Sequence, residues 1–565
     1  MLAPPPVNPA ALTQRRDRHN GRPFPPLDEV RFIDGTGNHE VDVERGATHI
    51  AFRRLASTAY TDGVDSPSGA RLPSARFVSN GVFAQPGDVP GDAGLSDLFW
   101  QWGQFLDHDI TETPVHDPAE PFPIPVPTGD LWFDPLGTGT QEIPLSRSFP
   151  VYPGGVREQI NGITAWIDGS QVYGSDAERA DALRTLDGTG MLKTSDGDLM
   201  PFNLDGLPNA PSSALPDFFL GGDIRANEQV GLTAMHVLFV REHNYWARRI
   251  AEEDEEWRDS RRGGGHGGGP GGGNGGGRNL SDDAYRGSRA PALTGDEIYE
   301  ISRAIVSAEL QIITYREWLP LLLGPGAPEL DSVYRPDLDG SISNEFATAA
   351  FRIGHTMLST TLLRLDRDGN TIPEGDLSLS DAFFAPTETI EVGIDPVLRG
   401  LVTQPAQKLD LYLIDDIRNL LFGPPGSGGL DLGSLNLQRA RDHGIPTYAQ
   451  VRRDLGLGAP ASFAEMSTDP EVLARLNSTS RSPEMLDLWV GGLAEDPLPG
   501  SLVGELFQTI LSEQFTALRD GDRLWYTRQL TDDLVELVEE QSLSRILARN
   551  SGLRPPYIQS PFTAE

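Results

Sequence analysis

The chain has 565 residues, no cysteine, and 82 acidic against 46 basic side chains, for a formal net charge of −36. That balance argues against a nucleic-acid partner, whose phosphates select basic surfaces, and the missing thiols exclude disulfide-linked oligomers, thiolate catalysis and cysteine-ligated metal. A hydrophobic content of 38% is enough for a large core, yet no apolar run reaches the roughly 18 residues that a transmembrane segment needs.

Residues 1–27, rich in Pro, Arg and Asn, read as an N-terminal arm, and no signal peptide is visible there because a charged start followed by a sustained apolar stretch is missing. From residue 28 onward the pattern is globular. Leu98–Pro114, LFWQWGQFLDHDITETP, predicts a buried helix carrying Asp107, His108 and Asp109 side by side, although ionised carboxylates are rarely buried without a partner. At about 100° per residue these three leave the helix on different sides. Gln104, one turn before His108, shares its face. Pro118–Pro127, PAEPFPIPVP, must run extended, since repeated proline forbids helix.

Glu158–Asp176 places oxygen-bearing side chains at Thr164, Asp168 and Ser170, and Trp166 between them can offer only its backbone carbonyl. Hard oxygens crowded together suit Ca²⁺, although an ordinary polar turn explains the segment as well and a further Asp is needed. In GGDIRANEQ, Arg225 and Glu228 are three apart, which by default is a surface ion pair. Helical periodicity follows over Gly231–Glu253, Ile342–Leu365, Leu435–Leu455 and Leu502–Arg519. The second of these holds Arg352 and His355, and the third holds Asn436, Arg439 and the Arg441-Asp442-His443 cluster. Residues 262–278, RGGGHGGGPGGGNGGGR, lack the aspartates and aliphatics of calcium-binding glycine repeats and read as a flexible insertion at the tip of a helical hairpin. His266 within it reads as exposed, and His243 and His443, each among charges, as structural. Strand-like alternation is sparse, so the fold class is mainly α: one large domain of many helices with long ordered loops and little β.

WGQFLDHD, ITAWIDGSQVYGS, GDIRANE, AFRIGHT and LNLQRARDHGIP, in this order, resemble the animal-type haem peroxidases of the peroxidase–cyclooxygenase superfamily. Further matches, from RFIDGTGN to SLSRILARNSG, extend the resemblance over residues 28–562 as a single domain. The resemblance implies a haem b cofactor, with His355 as the iron ligand and Asn436 bonded to its other ring nitrogen. It implies His108 as the distal base, Arg225 as the distal cation, and Gln104 holding water or a small anion beside them. Arg352 and Arg439 match positions near the proximal side and the haem propionates. Asp107 and Glu228 match the carboxylates that form ester bonds to haem methyl groups in mammalian members. Asp109 joins Thr164, Trp166, Asp168 and Ser170 around Ca²⁺.

Two positions, Gln229 and Thr111, depart from the peroxidase pattern, and a third, Arg352, departs from that of the oxygenase branches. Gln229 replaces the methionine of the chloride-oxidising member, so its sulfonium link to haem cannot form. Arg352 stands where the cyclooxygenase and fatty-acid dioxygenase branches carry a radical tyrosine, and Thr111 stands where mammalian members have an acid. The implied activity is reduction of H₂O₂ through compound I, with oxidation of bromide, iodide, thiocyanate or small phenolic donors, in an oxidative-stress setting and a secreted or extracytoplasmic location. The alternatives are a fatty-acid dioxygenase, or a non-catalytic adhesion or matrix-binding protein on the same scaffold.

Overall fold

The computed structural model of the protein describes residues 21–85, 87–263, 291–426 and 429–564. Helix α1, Asp97–Ile110, forms where the aromatic run predicts it. Phe99, Trp102, Phe105, Leu106 and Ile110 are almost fully buried along it. Its first turn is fixed by Asp97, which accepts from Trp100 Nε1 and from Ser359 Oγ, both at 2.9 Å. The helix ends at Thr111, whose backbone turns extended and whose hydroxyl donates back to Asp107 at 2.8 Å.

Helices α2, Val230–Gly263, and α3, Gly295–Ile312, pack along one another as the expected hairpin. Trp246 Nε1 ties them by donating to Glu309 Oε1 at 3.1 Å, and a capping box between Thr294 and Glu297 starts α3. Residues 264–278 of the glycine insertion, His266 included, lie outside the described residues. So do residues 1–20 of the arm. The remainder of the arm packs on this hairpin: Phe24 is buried against Trp246, and Arg22 donates to Asp254 at 2.7 Å.

Two helical expectations are corrected. Over Ile342–Leu365 the chain forms a short helix α4, Asn344–Thr348, then a tight 3₁₀ stretch, Ala350–Met357, and then a strand, Thr361–Leu362. The Ser-Thr-Thr run after Met357 favours extended backbone, and the strand pairs with Leu377–Ser378. Over Leu435–Leu455 the chain forms α5, Leu432–Asp442, and a separate helix, Tyr448–Asp454. The break falls at Gly444, where φ is +64° and a Cβ would lie 2.6 Å from the Tyr60 ring, just ahead of Pro446. Helix α6, Glu505–Asp520, follows its predicted segment.

Sheet structure is slight. Glu158–Asn161 is the middle of three short antiparallel strands, between Ile50–Ala51 and Pro150–Val151. It delivers the chain into the Thr164–Ser170 loop beside α1. The proline-rich stretch is extended and pairs Ile124–Pro125 with Glu142–Ile143. No helix among the described residues is long and apolar enough to cross a membrane.

Candidate active site

A cavity of about 360 Å³ lies between α1, the Arg225–Gln229 loop, the Ala350–Met357 stretch and α5. That size suits a bound organic cofactor or small ligand, for which sites span roughly 300–1,000 Å³. Gln104, Asp107, His108, Arg225 and Glu228 line it, and so do Arg352, His355 and Arg439. Residues separated by more than 300 positions in sequence are thereby brought to one site.

His108 is buried, with Nδ1 3.6 Å from Asp223 Oδ1 and Nε2 3.8 Å from Glu228 Oε2. Its Nδ1 has no hydrogen-bond partner. Burial, reinforced by the charge of Arg225, holds its pKa well below 6.5. The imidazole is therefore neutral and able to take a proton.

Arg225 does not form the expected surface pair with Glu228. Its Nε and Nη2 donate to the two oxygens of Asp223, each at 2.8 Å, and Nη2 also donates to Thr111 O at 2.7 Å. Its Nη1 lies 3.6 Å from Asp107 Oδ2. Burial alone would raise the pKa of Asp223, but Arg225 and His108 outweigh it and hold it well below the usual range. Three amides sit alongside: Gln104 Oε1 accepts from Gln101 Nε2 at 3.1 Å and from Gln229 Nε2 at 3.0 Å.

The cavity also holds carboxyls that favour their protonated form. Burial pushes Glu228 up to about 7 in spite of Arg225, and raises Asp107. About a quarter of each side chain opens onto the cavity, 25% for Glu228 and 29% for Asp107. Glu112, absent from the expected site, lines the same cavity and is pushed to about 7 by burial.

On the other wall, His355 is neutral, its pKa lowered to about 3 by burial and then by Arg352. Its Nδ1 lies 2.9 Å from the Asn436 amide nitrogen, while Arg352 Nη1 donates to Asn436 Oδ1 at 2.6 Å. Nε2 can bind a metal only when Nδ1 carries the ring proton, which requires the amide oxygen to face it. In the orientation observed the oxygen faces Arg352 and the amide nitrogen faces Nδ1, so a metal at Nε2 would require the amide to turn over, bringing its oxygen to His355 and giving up the contact from Arg352. Arg352 and Arg439 are buried cations whose pKa values are lowered by that burial, Arg352 to about 10. Arg439 is already paired with Asp442 at 3.1 Å, so an anionic ligand group would chiefly compensate Arg352. The donor set thus fits an iron porphyrin: a neutral imidazole for the metal, a second with a free nitrogen, and two guanidiniums for carboxylate tails.

A sequence profile of the animal haem peroxidases matches residues 30–262 and 281–561. The chain belongs to the animal haem peroxidase family. Among its relatives, Peroxinectin A of Dictyostelium discoideum is 34% identical over 515 residues, covering 88% of this chain and 89% of that protein. Myeloperoxidase of Mus musculus is 35% identical, covering 94% of this chain and 76% of that protein. The chain spans only 35% of Peroxidasin of Drosophila melanogaster, at 34% identity over 92% of its own length. Among solved structures, Peroxidase A from Dictyostelium discoideum superposes with a TM-score of 0.82 at 30% identity, covering 95% of this chain and all of that one. A fatty acid alpha-dioxygenase of Oryza sativa, at TM-score 0.74 and 20% identity over 98% of this chain and 93% of its own, shares the fold.

In this animal haem peroxidase the second cluster of expected residues also assembles. Asp109 accepts from Ser170 N at 2.6 Å and Gly169 N at 3.3 Å. Asp168 Oδ1 accepts from Thr164 Oγ1 and from the same Ser170 N, both at 3.1 Å, and its Oδ2 has no partner. Both carboxyls are fully buried; burial, then Asp168, pushes Asp109 well up. Such a pair is compensated by a cation or by protons. No group of three or more His, Cys, Asp or Glu able to hold a metal occurs among the described residues, so hydroxyl and carbonyl oxygens would complete any shell. The Trp166 ring between them is clasped by Gly46 and Gly340, where a Cβ would come within 2.5 and 2.4 Å of it.

His443 is bonded by Ser148 Oγ and Asn344 Oδ1, each at 2.7 Å, and His243 by Tyr173 OH at 3.0 Å and Gly190 O at 2.9 Å. Both are structural, as expected. Sequence reasoning missed Asp223 and Glu112. The first was legible as the acid two residues ahead of Arg225; nothing in the pattern around Glu112 marked it.

Proposed function

We propose that this haem-dependent peroxidase reduces H₂O₂ and uses the oxidising equivalents on bromide, iodide, thiocyanate or small phenolic donors. The observation that carries the reading is one cavity holding a neutral His108 beside an Asp223-held Arg225, together with the His355–Asn436–Arg352 chain. His355 would hold the haem and Arg352 and Arg439 would take its carboxylates, and the bound group would supply the two-electron redox chemistry. His108 takes the proton of incoming peroxide at a ring nitrogen and returns it to the departing oxygen, which leaves as water. Arg225 stabilises the negative charge that develops there. Gln104 offers an amide beside the base for water or a small anion. Gln229 cannot supply an electron-withdrawing sulfonium, which favours the more easily oxidised anions over chloride.

Asp107 and Glu228 are the carboxyls proposed to become esters with haem methyl groups; esterification would remove two buried acids from the titration of the site. Asp109, Thr164, Asp168, Ser170 and the Trp166 carbonyl are proposed to hold Ca²⁺, which would brace α1 and with it His108. An extracytoplasmic location suits both calcium and oxidant production. The dioxygenase alternative rests on likeness of fold, and Arg352 occupies the position its tyrosine would need. The adhesion alternative does not require the intact distal set.

The deciding experiment is the optical spectrum of the haem-loaded protein before and after about one equivalent of H₂O₂, followed by bromide. A Soret band that changes with peroxide and returns with bromide supports the reading. A spectrum indifferent to peroxide, or failure to take up haem, overturns it.

A further inference from the structure

Aromatic rings in contact lead from the cavity toward the surface. Trp318 lines the cavity, with Nε1 donating to Phe99 O at 2.8 Å. Tyr315 precedes it by three residues in the same π-helical stretch, Ile313–Trp318. Both rings sit edge-on to Phe515, with centroids 6.4 and 6.1 Å away. Tyr315 meets Trp525 at 5.1 Å, and Trp525 meets Tyr526 at 5.6 Å. Tyr526 is 3% exposed, and its phenol donates at 2.8 Å to Oε1 of Glu539, the exposed residue through which the series reaches the surface.

The partners along this series differ in a way that gives it a direction. Tyr315 donates to the backbone carbonyl of Phe515, which cannot accept its proton, so Tyr315 serves as a bridge between Trp318 and Trp525 and is not itself oxidised. Trp525 Nε1 is buried with no partner at all, so an oxidised Trp525 keeps its proton and remains a strong oxidant of its neighbour. Tyr526 alone in the series has a carboxylate on its hydroxyl. Among the described residues, a second branch runs from Trp318 through Phe99, Phe562 and Trp102 to Phe105 and His236 without meeting a tyrosine. Among the described residues, Trp489, 6.3 Å from the His355 ring, leads on to Phe83 alone.

We propose that Trp318, Tyr315, Trp525 and Tyr526 form a one-electron conduit from the haem cavity to the Tyr526–Glu539 pair, where phenolic reductants too large for the cavity are oxidised. The inference rests on the haem peroxidase reading. Trp318 gives one electron to the peroxide-oxidised haem and is refilled from Trp525 across the Tyr315 ring, and Trp525 is refilled from Tyr526. Tyr526 passes its phenolic proton to Glu539 as it loses the electron. A phenol at the surface then returns one electron and one proton and leaves as a phenoxyl radical. Two passes consume the two oxidising equivalents of one peroxide, so that H₂O₂ and two phenols give two waters and two phenoxyl radicals.

The test is freeze-quenched electron paramagnetic resonance of the haem-loaded protein after one equivalent of H₂O₂ without donor, with the optical spectrum recorded in parallel. Wild type is expected to show a tyrosyl signal that Tyr526→Phe abolishes and Trp525→Phe reduces at least tenfold, while both variants take up haem and respond optically to peroxide as wild type does. Oxidation of a bulky polymer-linked phenol is expected to fall at least tenfold in Tyr526→Phe, with bromide oxidation unchanged. A tyrosyl signal surviving in both variants overturns the conduit, as does an optical response to peroxide with no protein radical. No optical response in wild type overturns the conduit and the peroxidase reading together.

Discussion

Asp223 grips Arg225 through two hydrogen bonds of 2.8 Å and stands 3.6 Å from Nδ1 of His108, so one buried carboxylate positions both the distal cation and the distal base. Asp223→Asn keeps the shape but removes the charge, and Arg225 is then drawn toward Asp107, already 3.6 Å from its Nη1. Misplacing a charge-stabilising donor costs about 10²–10³-fold in rate. Stopped-flow measurement of the peroxide reaction is expected to show a loss of that size with haem uptake retained. An unchanged rate would show that Arg225 holds its place without Asp223.

His108 is held neutral by burial and by Arg225, its pKa well below 6.5. The base form is therefore present through the mildly acidic range. The second-order rate of peroxide reaction is expected to stay level as pH falls through 6.5, with its acid limb at lower pH. A limb centred at 6.5 would mean that His108 titrates as a free histidine.

On the proximal side, Asn436 links Arg352 to His355. Outer contacts of this kind typically carry about 10–100-fold in ligand affinity. Asn436→Leu is expected to weaken haem binding by that factor, measured by competitive haem transfer. Asn436→Asp makes the imidazole more electron-rich and should lower the iron reduction potential, read by spectroelectrochemistry.

Glu228 and Glu112 are raised from 4.5 to about 7. The folded protein keeps their protons where the unfolded chain has released them, so their contribution is intact below pH 4.5 and is lost as pH rises to about 7, on the order of 3 kcal/mol each. The buried neutral histidines act in the opposite sense below pH 6.5, so the informative quantity is the difference between variants. Haem-free Glu228→Gln is expected to gain in thermal stability on haem-free wild type as pH rises from 5 to 7.5. A difference independent of pH would show that Glu228 ionises normally.

Calcium bound at Asp109 and Asp168 would stabilise the folded chain by mass action, by about 4 kcal/mol at a thousandfold excess over its Kd. Added Ca²⁺ is expected to raise the melting temperature of chelator-treated protein, and Asp168→Ala to abolish that response. Equal melting curves with and without Ca²⁺ would refute the site.

Only part of this site has a local signature in the sequence, in Asp107, His108 and Asp109 within an aromatic helix and His355 in an apolar stretch; the parts expected of His355, Arg225, Glu228, Asn436 and Arg439 came from the resemblance to the animal haem peroxidases. The break at Gly444 was also written there, in the Gly-Ile-Pro that ends α5. Asp223 escaped because helical spacing was applied to Arg225 and Glu228, whereas residues 221–229 form turns in which neighbours two apart meet. The continuous helix expected over Ile342–Leu365 failed for a related reason: a buried 3₁₀ turn and a short strand carry the same apolar content as a helix. The contact between Tyr315 and Trp525, 210 positions apart, has no local signature at all.

The three directions in which Asp107, His108 and Asp109 leave α1 have a consequence for how this chain can change. Each step along the helix turns by about 100°, so a single residue inserted or deleted between Trp100 and Gln104 would swing the base away from the cavity and bring a carboxylate round in its place. A substitution at any one of the three disturbs one task; a shift in reading along the helix disturbs all three together. This stretch is therefore held more tightly in its length than in any single side chain.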